Sequence, residues 1–240
     1  MADGLDDGEG LIGLATSPDI RKGYVWQIKT QNYVPVNYSA VGNEAIFEGC
    51  IVLGTVVEME QLAANVERFP SSDLEEQGVA ITGKRFRWPD AVVPYRIDSD
   101  LQHPERVTTA IAQWEVKTKL QFRKRVPSDA NFVTFKAGAG CSSSVGMRGG
   151  EQFVTLGASC TTGNAIHEIG HTIGLWHEQS REDRDHFISI KFENIEADAL
   201  HNFIQHISDG DDLGTYDYGS IMHYPKNAFS KNGKPTIVKL

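Results

Sequence analysis

The fold of this chain is decided by residues 167–177, which read His167-Glu168-Ile169-Gly170-His171-Thr172-Ile173-Gly174-Leu175-Trp176-His177. The apolar periodicity from Ala165 to Leu175 predicts a helix. Histidines at positions i and i+4 of a helix lie on one face, so the imidazoles of His167 and His171 can reach one metal ion. Gly174 can take a positive φ at little cost, which lets the chain leave the helix and return His177 as a third ligand.

This ligand pattern indicates a catalytic rather than a structural zinc site, because three protein ligands leave one position open. Zinc lowers the pKa of bound water to about 7 and polarises a carbonyl. Glu168 follows the first ligand directly and fits a place beside the metal, so we predict that it carries a proton from water to a leaving amine. The expected reaction is hydrolysis of an amide, and specifically of a peptide bond. Chance spacing of surface histidines is the first alternative.

A family resemblance appears when the stretch is followed further. Residues 167–185, which continue as His177-Glu178 and Ser180-Arg181-Glu182-Asp183-Arg184-Asp185, resemble the metzincin peptidases and their astacin branch. The stretch Ser220-Ile221-Met222-His223-Tyr224-Pro225 is similar to the astacin Met-turn. The resemblance implies that Met222 lies beneath the ligands, and that Tyr224 ligates zinc in the resting enzyme and then stabilises the oxyanion. Standing alone, Met222 would be read as an ordinary core methionine.

Further likenesses concern the ends of the family's catalytic domain. Residues 80–83 and Trp88 resemble the start of mature astacins. In that family the freed N-terminus contacts the glutamate after the third histidine, and the resemblance implies this role for Glu178. The alternative is that Glu178 is a plain surface carboxylate. Cys141 and Cys160 are spaced like one astacin disulfide. The family's second disulfide has no cysteines here, and the chain ends sixteen residues after Tyr224. We therefore expect a C-terminally shortened catalytic domain.

The third cysteine stands in Phe47-Glu48-Gly49-Cys50. This stretch resembles the Phe-x-Gly-Asp motif of astacin pro-segments, in which the aspartate binds the zinc. Cys50 takes the place of that aspartate. A thiolate is a good zinc ligand and stays deprotonated when coordinated. With Cys50 as fourth ligand no activated water remains, so we predict a latent proenzyme. The alternative is that Cys50 is a small buried hydrophobe.

The sequence predicts an α+β fold of the astacin type in three segments: a disordered N-terminus at 1–18, an inhibitory pro-segment at 19–78 with an exposed linker at 71–78, and a catalytic domain at 79–240. The linker is polar and small, as sites of proteolysis usually are. We expect cleavage near 77–79 to activate the enzyme. In the catalytic domain we expect a twisted sheet with two helices, then a mostly irregular subdomain. A partner-binding role for residues 1–77 is the alternative to inhibition.

Composition excludes some classes of function. Lys and Arg number 23 against 32 Asp and Glu, and a formal net charge of −9 argues against a nucleic-acid binder. No apolar run reaches the length of a membrane span. Residues 1–10 do not resemble a secretory signal, so secretion is implied by the family and the disulfide spacing alone. We expect a monomer that acts on protein or peptide substrates, with an activating protease or self-processing and neither nucleic acid nor membrane as partner.

Overall fold

The computed structural model describes residues 13–27, 32–68, 84–205, 210 and 212–240. The linker at 71–78, the expected activation site and residues 80–83 lie outside the described residues. The first half of the chain contains β1 (Ile20–Gln27), β2 (Asn32–Val41), β3 (Glu44–Phe47), β4 (Ile51–Thr55) and the helix α1 (Val56–Arg68). The four strands pair in sequence order and antiparallel. These strands contain β-branched and aromatic residues such as Tyr24, Val25 and Ile51, which favour extended structure.

Residues 13–18 belong to the stretch expected to be disordered, yet they follow a defined path. Leu14 forms a parallel bridge with Cys141, and the Ala15 amide donates to the Gly49 carbonyl at 2.7 Å. Their backbone groups therefore pair with both halves of the chain. The predicted disorder does not hold for these six residues.

The second half of the chain builds the rest of the same sheet. Its elements are β5 (Val92–Ile97), α2 (Glu105–Lys117), β6 (Gln121–Lys124), β7 (Phe132–Lys136), β8 (Cys141–Ser143), β9 (Glu151–Leu156) and α3 (Thr162–Thr172). The strand order across the described sheet is β1-β2-β3-β4-β8-β9-β7-β5-β6. A single parallel pair, Ile51 with Ser143, connects β4 to β8. The α+β class is confirmed, while β6 and β8 escaped prediction because each is only three or four residues long.

The helices α2 and α3 pack on one face of this sheet. The buried face of α2 is formed by Val107, Ala110 and Ile111, and the half-buried Trp114 donates its indole N–H to the Ile166 carbonyl at 3.0 Å. This bond connects α2 to the middle of α3.

Helix α3 begins and ends three residues earlier than the periodicity predicted. It starts after Thr161, whose hydroxyl accepts from the Asn164 amide while the Asn164 side chain accepts from the Thr161 amide, a reciprocal cap. It ends at Thr172, and Gly174 follows with φ 109°. The positive φ expected of Gly174 is confirmed, and this turn redirects the chain toward His177.

The described part of residues 173–240 is mostly irregular, as expected. It contains single helical turns and one short antiparallel pair, β10 (Ile188–Ile190) with β11 (Ile237–Lys239). A separate apolar cluster holds it together, formed by Ile188, Ile195, Ala199, Phe203, Tyr216, Tyr224, Ala228 and Ile237. No helix in the described ranges is both long enough and apolar enough to cross a membrane.

Candidate active site and metal centre

Four side chains converge between the two halves of the chain. The Cys50 Sγ lies 3.5 Å from His167 Nε2, 3.3 Å from His171 Nε2 and 3.3 Å from His177 Nε2. All four residues are buried. The structure thus brings together the three predicted histidines and the predicted fourth ligand, which lies 117 residues before His167 in the chain.

The hydrogen bonds of the Nδ1 atoms determine which nitrogen of His167 and His171 can bind a metal. The Nδ1 of His167 lies 2.7 Å from the Ile221 carbonyl oxygen, and that of His171 lies 2.8 Å from the Leu175 carbonyl oxygen. A carbonyl only accepts, so each Nδ1 must carry the proton. The lone pair is then on Nε2, which faces the centre, as metal-binding histidines require.

The donor set fits zinc. Four donors placed tetrahedrally at the usual Zn–N and Zn–S lengths are separated by about 3.3 to 3.6 Å, and the separations here fall close to this range. Thiolate and imidazole are also the donors that zinc prefers. The residues that would hold the ion are therefore His167, His171, His177 and Cys50.

Charge at the centre supports the same conclusion. Burial and the adjacent His177 lower the pKa of His167 to about 3, and burial lowers the pKa of His171 well below its usual value, so both rings are neutral as ligands must be. Burial and the carboxyls of Glu168 and Glu48 raise the pKa of the Cys50 thiol well above its usual range. A divalent cation supplies the positive charge that reverses this effect and keeps a coordinated thiol deprotonated.

Glu168 is buried beside the histidines, with 1% of its surface exposed. Its Oε2 receives no hydrogen bond from any residue in the described ranges, and burial raises the pKa of this carboxyl well above its usual value. An unsatisfied buried carboxylate oxygen is costly in free energy and is characteristic of a group poised for proton transfer. Its role as proton carrier stays a prediction.

Met222 lies against the metal-binding helix, as the resemblance implied. A methyl group at Gly170, between the two helical ligands, would come within 2.5 Å of Met222 Sδ, so only glycine allows this approach. Met222 is 3% exposed, and its carbonyl accepts from the Glu178 amide at 3.0 Å. The turn at Met222 thereby also anchors the segment that follows His177.

Glu48 is a site residue that the sequence reasoning missed. Its carboxylate accepts from His177 Nδ1 at 2.6 Å and from the Ser180 hydroxyl at 2.7 Å, and its side chain is fully buried. Its backbone carbonyl accepts from the Tyr224 hydroxyl at 2.5 Å. Glu48 also has φ 46°, which is unfavourable for a residue other than glycine. Its place two residues before Cys50 was the only sequence signal, and the charge of a glutamate normally indicates exposure.

Tyr224 is fully enclosed in this arrangement. Its ring centroid is 4.8 Å from that of His177, and its phenol is engaged by the Glu48 carbonyl. Burial raises the pKa of the phenol well above its usual value, so it remains a hydrogen-bond donor. The tyrosine therefore stands next to a ligand while its hydroxyl is held by the first half of the chain.

The two remaining expectations concern cysteines and Glu178. Cys141 and Cys160 form a disulfide, as the resemblance implied, and Cys50 is a buried free cysteine. Glu178 accepts from the Asp217 amide at 2.9 Å and lies 3.4 Å from Arg181 Nη1. Its expected partner, a freed N-terminus near 80, lies outside the described residues, so that role stays a prediction.

Comparison with known proteins agrees with this site. The family model of the astacin peptidases matches residues 80–240, which contain all three histidines, Glu168 and the Met-turn. The chain belongs to the astacin family. Astacins are zinc-dependent, and the buried group of three histidines and Cys50 could hold such an ion. Outside the match lie residues 1–79, which include Cys50 and Glu48.

Individual relatives match about two thirds of the chain. Zinc metalloproteinase nas-13 of Caenorhabditis elegans is 41% identical over 163 residues, which are 66% of this chain and 36% of the relative. Meprin A subunit beta of Homo sapiens is 38% identical over 165 residues, which are 66% of this chain and 23% of the relative. This astacin thus spans about a third of these proteins or less.

A solved structure shows the same fold. High choriolytic enzyme 1, a hatching enzyme zinc-protease from Oryzias latipes, superposes with a TM-score of 0.59 and 33% identity over 64% of this chain and 80% of that chain. The expected α+β catalytic domain of the astacin type is therefore confirmed.

Proposed function

We propose that the whole protein is a zinc-dependent endopeptidase whose present form is a latent proenzyme. The observation that carries this proposal is the position of the Cys50 Sγ, within 3.3–3.5 Å of the Nε2 atoms of all three histidines. A thiolate at that point fills the position that a catalytic zinc keeps open for water. Residues 19–78 are then an inhibitory pro-segment, and cleavage near 77–79 begins activation.

In the active form each named residue has one task. Zinc, when bound, supplies the Lewis acid that lowers the pKa of water and polarises a carbonyl. Glu168, next to the ligands and with a free Oε2 in the described structure, takes the proton of the attacking water and returns it to the leaving amine. Tyr224 donates its phenol hydrogen to the oxyanion once Glu48 no longer accepts it.

The first half of the chain also blocks the cleft by its backbone. The Ser143 amide on β8 donates to the Cys50 carbonyl at 2.9 Å, and the Cys141 amide donates to the Gly13 carbonyl at 2.9 Å. An extended peptide substrate would need such edge-strand amides for main-chain pairing. Ligation by Cys50 and occupation of the edge of β8 are thus two separate means of inhibition.

Two rival functions are less well supported. A zinc-binding module without catalysis would lack Glu168 or an attainable open position, whereas Glu168 is present and the fourth ligand comes from a segment outside the family match. A partner-binding role for residues 1–77 would leave the catalytic cleft clear, whereas Cys50, Glu48 and Gly13 all bond to cleft residues.

The deciding experiment measures zinc content and peptide hydrolysis before and after the linker is cut and the pro-segment removed. We expect one zinc per chain in both forms and hydrolysis only in the second. Zinc-loaded protein that remains inactive after removal of the pro-segment would contradict the proposed activity.

The surroundings of the enzyme follow from the same proposal. The Cys141–Cys160 disulfide is typical of an oxidising compartment, and the astacin relatives support secretion. Substrates would be proteins or peptides, and activation would use another protease or self-processing. We expect the enzyme to act as a monomer, without nucleic acid or membrane as partner.

Replacing Tyr224 with phenylalanine should lower kcat of the separated enzyme by about a hundredfold, the usual effect of losing one oxyanion donor. Zinc should stay bound, because the three histidines that would hold it are unchanged. Tyr218→Phe is the matched control, since its hydroxyl donates to the Phe187 carbonyl instead. If both variants turn over peptides at the wild-type rate, Tyr224 has no part in the mechanism.

Replacing Glu48 with glutamine should weaken latency without affecting the separated enzyme. The carboxylate accepts from both His177 and Ser180, whereas an amide presents one oxygen and leaves one donor unsatisfied, at a cost of about 1–3 kcal/mol. The residual peptidase rate of the intact chain should therefore rise about tenfold. The matched control is Glu67→Gln, at an exposed carboxylate of α1. Equal residual rates for the two variants would show that Glu48 does not hold the pro-segment.

A further inference from the structure

We propose that residues 13–68 form a folded inhibitor that stays bound after the linker is cut, so that activity appears only when it dissociates. We call these residues the inhibitor unit. This inference rests on the proposed function, since it concerns regulation of the same zinc site. It makes cleavage of the linker necessary for activation but insufficient.

The inhibitor unit has a hydrophobic core of its own. The buried cluster around its sheet consists of Val25, Val36, Tyr38, Ala40, Ala45, Phe47, Cys50, Ile51, Leu53, Val56, Met59 and Val145, and all of these but Val145 belong to the unit. The strands β1 and β2 pair over their full described lengths, from Ile20–Ser39 to Gln27–Asn32. A sheet of more than two strands that packs against a helix meets the usual condition for independent stability.

Helix α1 is fastened to this sheet by bonds within the unit. Arg21 on β1 bonds to Glu60 at 2.5 Å, and the Tyr24 hydroxyl donates to Glu67 at 3.3 Å. On the other side of the helix, Met59 and Leu62 are buried. Since α1 ends directly before the undescribed segment 69–83, a cut in that segment removes none of these contacts.

The contacts between the unit and the catalytic half are also independent of the linker. They comprise the backbone pairs Cys50–Ser143 and Gly13–Cys141, the bonds of Glu48 to His177 and Ser180, and the ion pair of Glu44 with Lys136 at 3.3 Å. Every partner lies within 13–68 or 84–240. Cutting between 71 and 78 therefore leaves all of these contacts intact.

What the linker contributes is proximity. A covalent connection holds the unit at an effective concentration on the order of millimolar, far above the concentration of the protein itself. After a cut, retention of the unit depends on the real protein concentration by mass action. The cut protein should thus have little peptidase activity at high protein concentration and become active on dilution.

The test uses the complete chain with the recognition sequence of a site-specific protease placed within 71–78. In the Glu168→Gln background, which prevents self-digestion, both fragments should elute together in gel filtration at micromolar concentration after the cut. With Glu168 present, activity per molecule should be low at micromolar concentration and rise about tenfold or more on dilution to nanomolar.

A charge reversal at the interface separates binding from chemistry. Glu44→Lys places a like charge opposite Lys136, away from every ligand, and should move the appearance of activity to a higher protein concentration. Gln61→Lys introduces a positive charge at an exposed position of α1 and should leave the dilution curve unchanged. In the uncut chain both variants should stay latent because of the tether.

The outcomes distinguish this inference from the proposed function. Fragments that separate at micromolar concentration, with full activity independent of dilution, would overturn the retained inhibitor while leaving the peptidase assignment intact. Fragments that elute together, with a catalytic half that is silent at every dilution and after removal of the unit, would refute the peptidase assignment and retain the binding. Identical dilution curves for Glu44→Lys and Gln61→Lys would also count against the interface described here.

Discussion

Cys50→Ala should turn the silent, intact chain into an active peptidase. The substitution removes a sulfur that lies 3.3 Å from both His171 Nε2 and His177 Nε2, and it alters no group assigned to catalysis. Water can then reach the fourth zinc position. Each loss of about 1.4 kcal/mol in pro-segment binding raises the open fraction tenfold, so we expect a rise in rate of at least about tenfold.

The rise should remain incomplete, because β4 and Gly13 still occupy the edge of β8. The matched control is Cys50→Asp, which introduces the aspartate that the Phe-x-Gly-Asp motif of astacin pro-segments has at this position. A carboxylate is also a zinc ligand, so this variant should stay latent. The pair of variants therefore separates loss of the ligand from loss of the cysteine as such.

A labelling experiment gives an independent check on Cys50. With zinc bound, the thiol should resist a thiol reagent, and removal of the metal by a chelator should expose it to reaction. Cys141 and Cys160 should stay unlabelled in both conditions because they are joined in a disulfide. Equal labelling of Cys50 with and without zinc, together with a silent Cys50→Ala chain, would reduce this cysteine to a packing residue.

Glu168→Gln should abolish most of the hydrolysis by the separated enzyme while zinc stays bound. Loss of a general acid–base group lowers rates by about a hundredfold to ten-thousandfold, and we expect an effect in this range on kcat/KM. The ligands His167 and His171 keep their bonds to the Ile221 and Leu175 carbonyls, so the metal content should not change.

The measurement uses the enzyme after removal of the pro-segment, because latency would otherwise mask the effect. Glu193→Gln is the matched control, an identical chemical change at an exposed position in the turn Phe192–Asn194. Peptide turnover by Glu168→Gln within tenfold of the control would show that another group carries the proton.

Local sequence predicted the centre of this site well because its rules are local. The spacing of His167 and His171, and the freedom of Gly174 to take a positive φ, depend only on helix geometry and backbone sterics. The boundaries of α3 were less accurate. Its true start is set by the cap between Thr161 and Asn164, whose polar side chains interrupt the apolar periodicity on which the prediction rested.

Contacts across the cleft could not be read in the same way. The strand β8 spans three residues in a Gly- and Ser-rich loop, too few for any periodicity, and it pairs with β4 on one side and β9 on the other. Likewise the ordered path of residues 13–15 depends on the backbone of Gly49 and Cys141. Neither dependence leaves a trace in composition.

The sequence by itself therefore predicted that His167, His171 and His177 lie together, because short-range spacing sets side-chain direction on a helix or turn. The Met-turn at 220–225 and the place of Cys50 beside these histidines were predicted from the family resemblance instead. Only the tertiary structure decided that Glu48 bonds to His177, that Glu48 holds Tyr224, and that residues 13–68 share one core. The bonds of Glu48 join residues more than a hundred positions apart, and their partners are selected by packing and by the need to satisfy buried polar groups.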